Sequence, residues 1–209
     1  IMLTLAVDTA GEIGSIALAE DDRILGQVRL ESPGGAGQTL FGELEKLLAR
    51  CGIRLADVEL YAAGCGPGSF TGVRIGLAAV KGMAEVAGKP ALAISNLAAL
   101  AACGSAELRA PVIDARRGEV FAAVFGRTGG EVIPAAVMRL ADFVALAGDR
   151  PVEWVTTGFD IGRAATVVSP ELAGAMARLA VERYRSGAVS DAAAMEAEYV
   201  RRPDINAAF

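Results

Sequence analysis

The sequence predicts an α/β protein made of two related lobes, each a mixed sheet with flanking helices, the second lobe shortened. Three observations carry this. Strand and helix signals run in the order βββαβαβα over residues 1–104. A briefer version, three strands and then helix, strand and helix, occupies residues 105–209. The chain is also 53% hydrophobic over 209 residues, enough to bury a sizeable core and far from a disordered composition.

In chain order, residues 3–8 (LTLAVD) read as a buried strand, followed by strands at 14–19 and 24–30 joined through Asp21–Asp22. After the break "SPGGAG", residues 38–51 form a helix whose Leu40, Leu44 and Leu47 share one face, with Gly52 ending it. Phe41 and Leu48 lie off that face. A strand at 59–65 leads through "GPGSFTG" into a second helix that stops at Gly88, before Pro90. A strand at 91–95 and a short helix at 96–103 complete the first lobe. In the second, strands at 110–115 and 119–125 flank the turn Arg116-Arg117-Gly118, and a strand at 131–138 follows. Helices are expected at 141–147 and 170–186, the latter capped by Ser169 with Pro170 at its first position, and a strand at 153–157.

Composition excludes several classes of function. The net charge of −5 is poorly suited to tight binding of RNA by this chain alone. The chain has no histidine, which removes the commonest general base and zinc ligand and every His-based triad. No apolar run reaches the roughly 20 residues that span a bilayer, and no basic leader precedes the first strand. Cys51, Cys65 and Cys103 have no CxxC spacing, and are expected as small core hydrophobes in a reduced, cytoplasmic protein.

The stretch GCGPGSFTGVRIGLAAVKG at 64–82 fits no nucleotide or nucleophile template. It lacks the lysine of a Walker loop, has Thr71 at the third position of a dinucleotide fingerprint, and has Pro67 where a nucleophile elbow needs glycine. Ser69 or Thr71 can cap the helix. Within it, Gly72, Gly76 and Ala79 form a small-residue stripe opposite Val73, Leu77, Val80 and Ala84. Packing within the chain, a helix–helix contact with another chain, and phosphate binding at the helix N-terminus are all readings of that stripe.

The segments "LAVDTA…GSIALAE", "GCGPGSFTGVRIGLAAVKGMAEVAGKPALAISNLAALA" and "VIDARRGEVFAAVF", with the closing "AEYVRR", resemble the TsaB family, in order over nearly the whole chain. These are bacterial non-catalytic partner subunits in threonylcarbamoyladenosine synthesis on tRNA. The resemblance implies duplicated actin-, sugar-kinase- and Hsp70-like lobes of the ribonuclease-H-like type. It implies pairing with a catalytic paralogue, TsaD, through the first two helices. The residues expected there are Phe41, Leu44, Leu48, Phe70, Thr71, Gly72, Gly76, Ala79 and Met83. It further implies TsaE in the same complex, a homodimer when the chain is alone, and tRNA met only through the complex.

In TsaD-like relatives two histidines four apart hold a metal; here the matching positions are Asn96 and Leu100, so the resemblance implies no metal and no catalytic residue. Asp8, Thr9 and Asp114 match the places where relatives of this fold grip nucleotide phosphates, and either acid could instead cap a strand-end turn. No resident cofactor is expected, with weak nucleotide binding at a complex seam left open. The chain reads Ala36-Gly37-Gln38 where many members have a histidine entering the first helix. The competing functions are an independent ATP-dependent kinase or acyl-transferase of the same fold, and a metalloprotease, for which no ligand set exists.

Overall fold

The computed structural model describes residues 1–31, 36–188 and 191–200. Residues 32–35 of the glycine-rich break and the doublet Arg201–Arg202 lie outside the described residues. The first sheet contains β1 (Leu3–Asp8), β2 (Gly14–Glu20), β3 (Arg23–Leu30), β4 (Leu60–Gly64) and β5 (Ala91–Ile94), with α1 (Leu40–Cys51), α2 (Phe70–Ala87) and α3 (Asn96–Ala101) between or after them. The second contains β6 (Leu108–Arg116), β7 (Glu119–Phe125), β8 (Glu131–Arg139), β9 (Val152–Thr156) and β10 (Thr166–Val167), with α4 (Leu140–Ala147) and α5 (Ala173–Arg185).

The two sheets have one topology. Their orders are β3-β2-β1-β4-β5 and β8-β7-β6-β9-β10. In each, the first three strands form an antiparallel meander, and the fourth and fifth add parallel to the first. The chain is therefore duplicated with a shortened second copy, as the order of strands and helices in the sequence predicts, and this is the actin-like, ribonuclease-H-like architecture that the family resemblance implies.

Period-two alternation sorts the first sheet into two unlike faces. Leu5, Val7, Ile16, Leu18 and Tyr61 point to α1 and α2, where they meet Leu40, Leu44 and Leu47 from one helix and Val73, Leu77, Val80 and Met83 from the other. Ala6, Ala17, Ala19 and Ala62 point the opposite way, to α5, which answers with Ala173, Ala177 and Ala180. Alanines on both sides let helix and sheet approach closely. The second sheet is covered by α3 on one face, through Leu97, Ala98, Phe121 and Phe125, and by α4 on the other, through Phe143.

Four expectations need correction. The lobe expected over 105–209 does not keep its last helix: α5 packs on the first sheet, and Ala173 N donates to Ser15 Oγ at 3.1 Å. That helix begins at Ala173, not Pro170, because Ser169 Oγ accepts from Glu171 N in a local turn instead of capping a helix. The two-residue β10 is too short to leave a periodic signal. Of the cysteines, Cys65 is buried, Cys51 half-buried and Cys103 exposed, so the core assignment fits Cys65 best.

Candidate functional site

Two surfaces gather the residues of interest: the cleft between the lobes and the outer face of α1 and α2. At the base of the cleft, Asn96 ties three segments together. Its Nδ2 donates to Asp8 Oδ1 at 3.0 Å, its Oδ1 accepts from Gly66 N at 2.9 Å, and its own backbone N donates to Gly66 O at 2.7 Å. Asp8 is only 2% exposed, and burial pushes its carboxyl up from the ordinary range, against the N–H of Ala10 and the amide of Asn96. The approach is close enough that a Cβ on Gly64 would stand 2.8 Å from Asp8 Oδ1. Leu100, one helical turn after Asn96, is wholly buried among apolar neighbours. These two positions form a structural tie and a core contact.

Both candidate phosphate-gripping acids act on their own turns. Asp8 Oδ1 accepts from Ala10 N at 3.0 Å, and Asp114 Oδ1 accepts from Arg116 N at 2.8 Å. The second turn needs this support, because Arg116, Arg117 and Gly118 all have positive φ, at 64°, 59° and 77°. Arg116 then bridges the lobes to Glu12 and also pairs with Asp114 at 3.4 Å. Between these turns lies a cleft of about 1210 Å³, walled by Asp8, Thr9, Asn96, Asp114, Leu172 and Tyr199 among others.

The glycine stripe of α2 meets this same chain. A Cβ on Gly72 would stand 2.0 Å from Thr9 O, and one on Gly76 would stand 2.5 Å from Thr9 Oγ1. Thr9 Oγ1 donates to Gly72 O at 2.6 Å, which locks the loop onto the helix. Ser69, not Thr71, supplies the cap: its Oγ accepts from Gly72 N at 3.2 Å.

The positions expected to meet a partner therefore divide. Leu44, Gly76 and Met83 are buried within this chain, and Gly72 is half-buried against Thr9, which corrects their place on a free surface. Leu48 and Ala79 are half-buried against the core. Phe41 is 60% exposed, and Thr71 and Phe70 are exposed as well. Phe70 also meets Tyr199 at 5.2 Å between ring centroids, with Arg74 stacked on it at 3.7 Å. The chain segment bearing Tyr199 is anchored by Ala192 and Met195 in the core and by Glu198 N donating to Cys65 O at 2.7 Å.

Sequence reading missed a second set of glycines. Gly42 in the first turn of α1 and Gly82 inside α2 are exposed, and a Cβ on either would meet nothing within 4 Å. On α2, Gly82 lies in line with the exposed Ala78 and Val86. The signal is present in the sequence, since Ala78, Gly82 and Val86 follow each other four apart.

Residues 37–171 match the family described as TsaD: tRNA N6-adenosine threonylcarbamoyltransferase. The chain is 32% identical over 158 residues to the tRNA threonylcarbamoyladenosine biosynthesis protein TsaB of Bacillus subtilis strain 168, covering 72% of this chain and 69% of that protein. It is 37% identical over 131 residues to the protein of that name from Escherichia coli K12, covering 60% of this chain and 56% of the relative. Among solved structures, YeaZ from Pseudomonas aeruginosa superposes with a TM-score of 0.81 at 29% identity, over 95% of this chain and all of that one. Among the described residues, no helix is long and apolar enough to cross a membrane.

Proposed function

This chain belongs to the TsaB family of tRNA threonylcarbamoyladenosine biosynthesis proteins, and from that premise we propose that it is a non-catalytic adaptor of a TsaD-type transferase. In this reading it pairs with TsaD and supports transfer of the threonylcarbamoyl group to adenosine 37 of tRNAs that read codons beginning with A. TsaE docks on the resulting complex, tRNA is met through it, and the chain alone forms a homodimer in the cytoplasm.

The observation that carries the adaptor reading is the state of Asn96 and Leu100. The resemblance places metal-holding histidines at these two positions in the catalytic relatives. Here one side chain is spent on Asp8 and Gly66, and the other is closed inside the core. A leucine offers no lone pair to a metal, and reaching Asn96 would break a buried hydrogen-bond network.

The outer face of α1 and α2 supplies the pairing surface. Phe41, Thr71, Ala78, Gly82 and Val86 are exposed there, and glycine inside a helix costs about 1 kcal/mol against alanine. Gly82 carries that cost with no neighbour within 4 Å of its Cβ position, which favours close approach of a partner helix. A large side chain at Gly76, by contrast, would collide with Thr9 before it reached any partner.

An independent ATP-dependent kinase or acyl-transferase is the competing reading. Among the described residues, the charged side chains lining the cleft speak against it: Asp8, Glu12, Asp114 and Glu198 stand beside one arginine, Arg116, and no lysine. Phosphates would meet mostly carboxylates. The deciding experiment mixes the purified chain with TsaD, TsaE and the enzyme that makes threonylcarbamoyl-adenylate, and measures tRNA modification with and without the chain. ATP turnover by the chain alone would favour the competitor.

A further inference from the structure

The last described residues, 191–200, touch both lobes. They begin in a tight turn, where Ala193 N donates to Asp191 Oδ1 at 2.9 Å, and Ala192 and Met195 join the core cluster of α1 and α2. Glu198 N then donates to Cys65 O at 2.7 Å. The segment passes so close to the turn after β4 that a Cβ on Gly66 would stand 3.0 Å from Glu198 O. Glu198, Tyr199 and Val200 line the interlobe cleft, and Val200 packs with Leu97, Phe121 and Phe125 on the side of the second sheet.

The two ends of this segment are held by unlike contacts. Its start is buried, with Met195 4% and Ala192 8% exposed. Its end is held at the surface. Tyr199 is 44% exposed, lies 5.2 Å from Phe70 between ring centroids, and accepts at its hydroxyl from Arg74 Nε at 3.1 Å. Phe70 and Arg74 head an exposed row on α2 that continues at four-residue steps through Ala78, Gly82 and Val86 of the pairing face.

We propose that residues 191–200 are a strap walling one side of the cleft, with Tyr199 as its latch, and that a partner helix seated on this row of α2 holds the latch closed. The partner half rests on the adaptor reading. A surface aromatic pair and one hydrogen bond from an exposed arginine are weak beside a buried methionine, so the strap opens from Tyr199 while Met195 stays seated. Opening frees Glu198 N from Cys65 O and takes Tyr199 and Val200 out of the cleft wall. A partner over Phe70 and Arg74 excludes water from the latch and strengthens it, and by reciprocity a closed latch favours the partner.

Cys65 reports the latch, because it is 7% exposed in the cluster that holds Ala192 and Met195, and its carbonyl takes the Glu198 amide. Iodoacetamide labelling of the intact chain, read by mass spectrometry, is compared among wild type, Tyr199→Ala and Tyr199→Phe, with amide hydrogen exchange at Glu198 and Leu5 by NMR. Tyr199→Ala is expected to label Cys65 about tenfold faster and to exchange Glu198 N faster, with Leu5 in β1 unchanged. Tyr199→Phe keeps the ring and should stay close to wild type. Equal Cys65 labelling in Tyr199→Ala, or a matching acceleration at Leu5, overturns the latch. If Tyr199→Ala does not fold, Phe70→Ala decides by the same readouts. Added TsaD should slow Cys65 labelling in wild type but not in Tyr199→Ala. Co-elution of TsaD without slowing overturns the partner half alone, whereas no co-elution overturns the adaptor reading and the partner half with it.

Discussion

Asn96 Nδ2 donates to Asp8 Oδ1 at 3.0 Å, joining the start of α3 to the end of β1 across 88 residues of chain. The same amide receives Gly66 N, so one side chain fixes the floor of the cleft. Replacing it with leucine leaves Gly66 N unpaired, worth about 1–3 kcal/mol, and takes from the buried Asp8 Oδ1 one of its two donors. Asn96→Leu is expected to lower unfolding free energy by roughly 2–4 kcal/mol in urea titration. A loss under about 0.5 kcal/mol, typical of a surface change, would show that the tie carries no weight.

The two kinds of glycine in α2 should respond in opposite directions. Gly76→Ala forces a Cβ to within 2.5 Å of Thr9 Oγ1 and is expected to destabilise by about 1–3 kcal/mol. Gly82→Ala meets no neighbour within 4 Å and should stabilise the isolated chain by about 0.5–1 kcal/mol. Thermal melts of the pair check the sign of each. Gly82→Trp should keep the wild-type melting temperature yet fail to co-elute with TsaD.

Glu153 clamps the connection between the lobes. Its Oε2 accepts from Ser105 N and Ala106 N at 2.6 and 2.7 Å, and its Oε1 accepts from Thr166 Oγ1 at 2.7 Å. The backbone bond from Ala106, with the others, holds its carboxyl below the ordinary range. A depressed carboxylate pKa contributes stability above the unfolded value, about 4.3, and loses it as pH falls through the folded value. Glu153→Gln should therefore cost about 1 kcal/mol at neutral pH, allowing for solvent screening. The gap to wild type should close in melts below about pH 4. A gap that stays constant with pH would assign the loss to packing.

The cysteines should separate by burial. Burial pushes the Cys65 thiol up to about 12; it raises the Cys103 thiol too, which donates to Ala99 O at 3.4 Å, but that residue lies exposed at the surface. Iodoacetamide on the native protein at mild alkaline pH should modify Cys103 and spare Cys65 until denaturant is added. Mass spectrometry of the digested protein reads this directly, and early labelling of Cys65 would contradict the packing described.

Much of the fold was legible because local pattern and tertiary packing agree. Leu40, Leu44 and Leu47 announce the buried face of α1, and the strand order announces the duplication. What stayed hidden depends on residues far apart in sequence. Nothing near Gly72 says that its neighbour is Thr9, 63 positions earlier. Nothing in "AGAMARLA" says which sheet it covers; the alanines of β1, β2 and β4 decide that only once the sheet exists. The site was legible where it rests on residue type, since an amide at Asn96 and a leucine at Leu100 are read from the sequence alone. It was read poorly where it needed exposure, as with Leu44, Gly76 and Met83.

The adaptor account is tested most directly by tRNA modification in a mixture of TsaD, TsaE and the adenylate-forming enzyme, with this chain added, omitted, or replaced by Gly82→Trp. The account predicts threonylcarbamoyladenosine with the wild-type chain and little without it or with the variant, while this chain alone turns over neither adenylate nor ATP. Full modification in its absence, or transfer by this chain without TsaD, would contradict it.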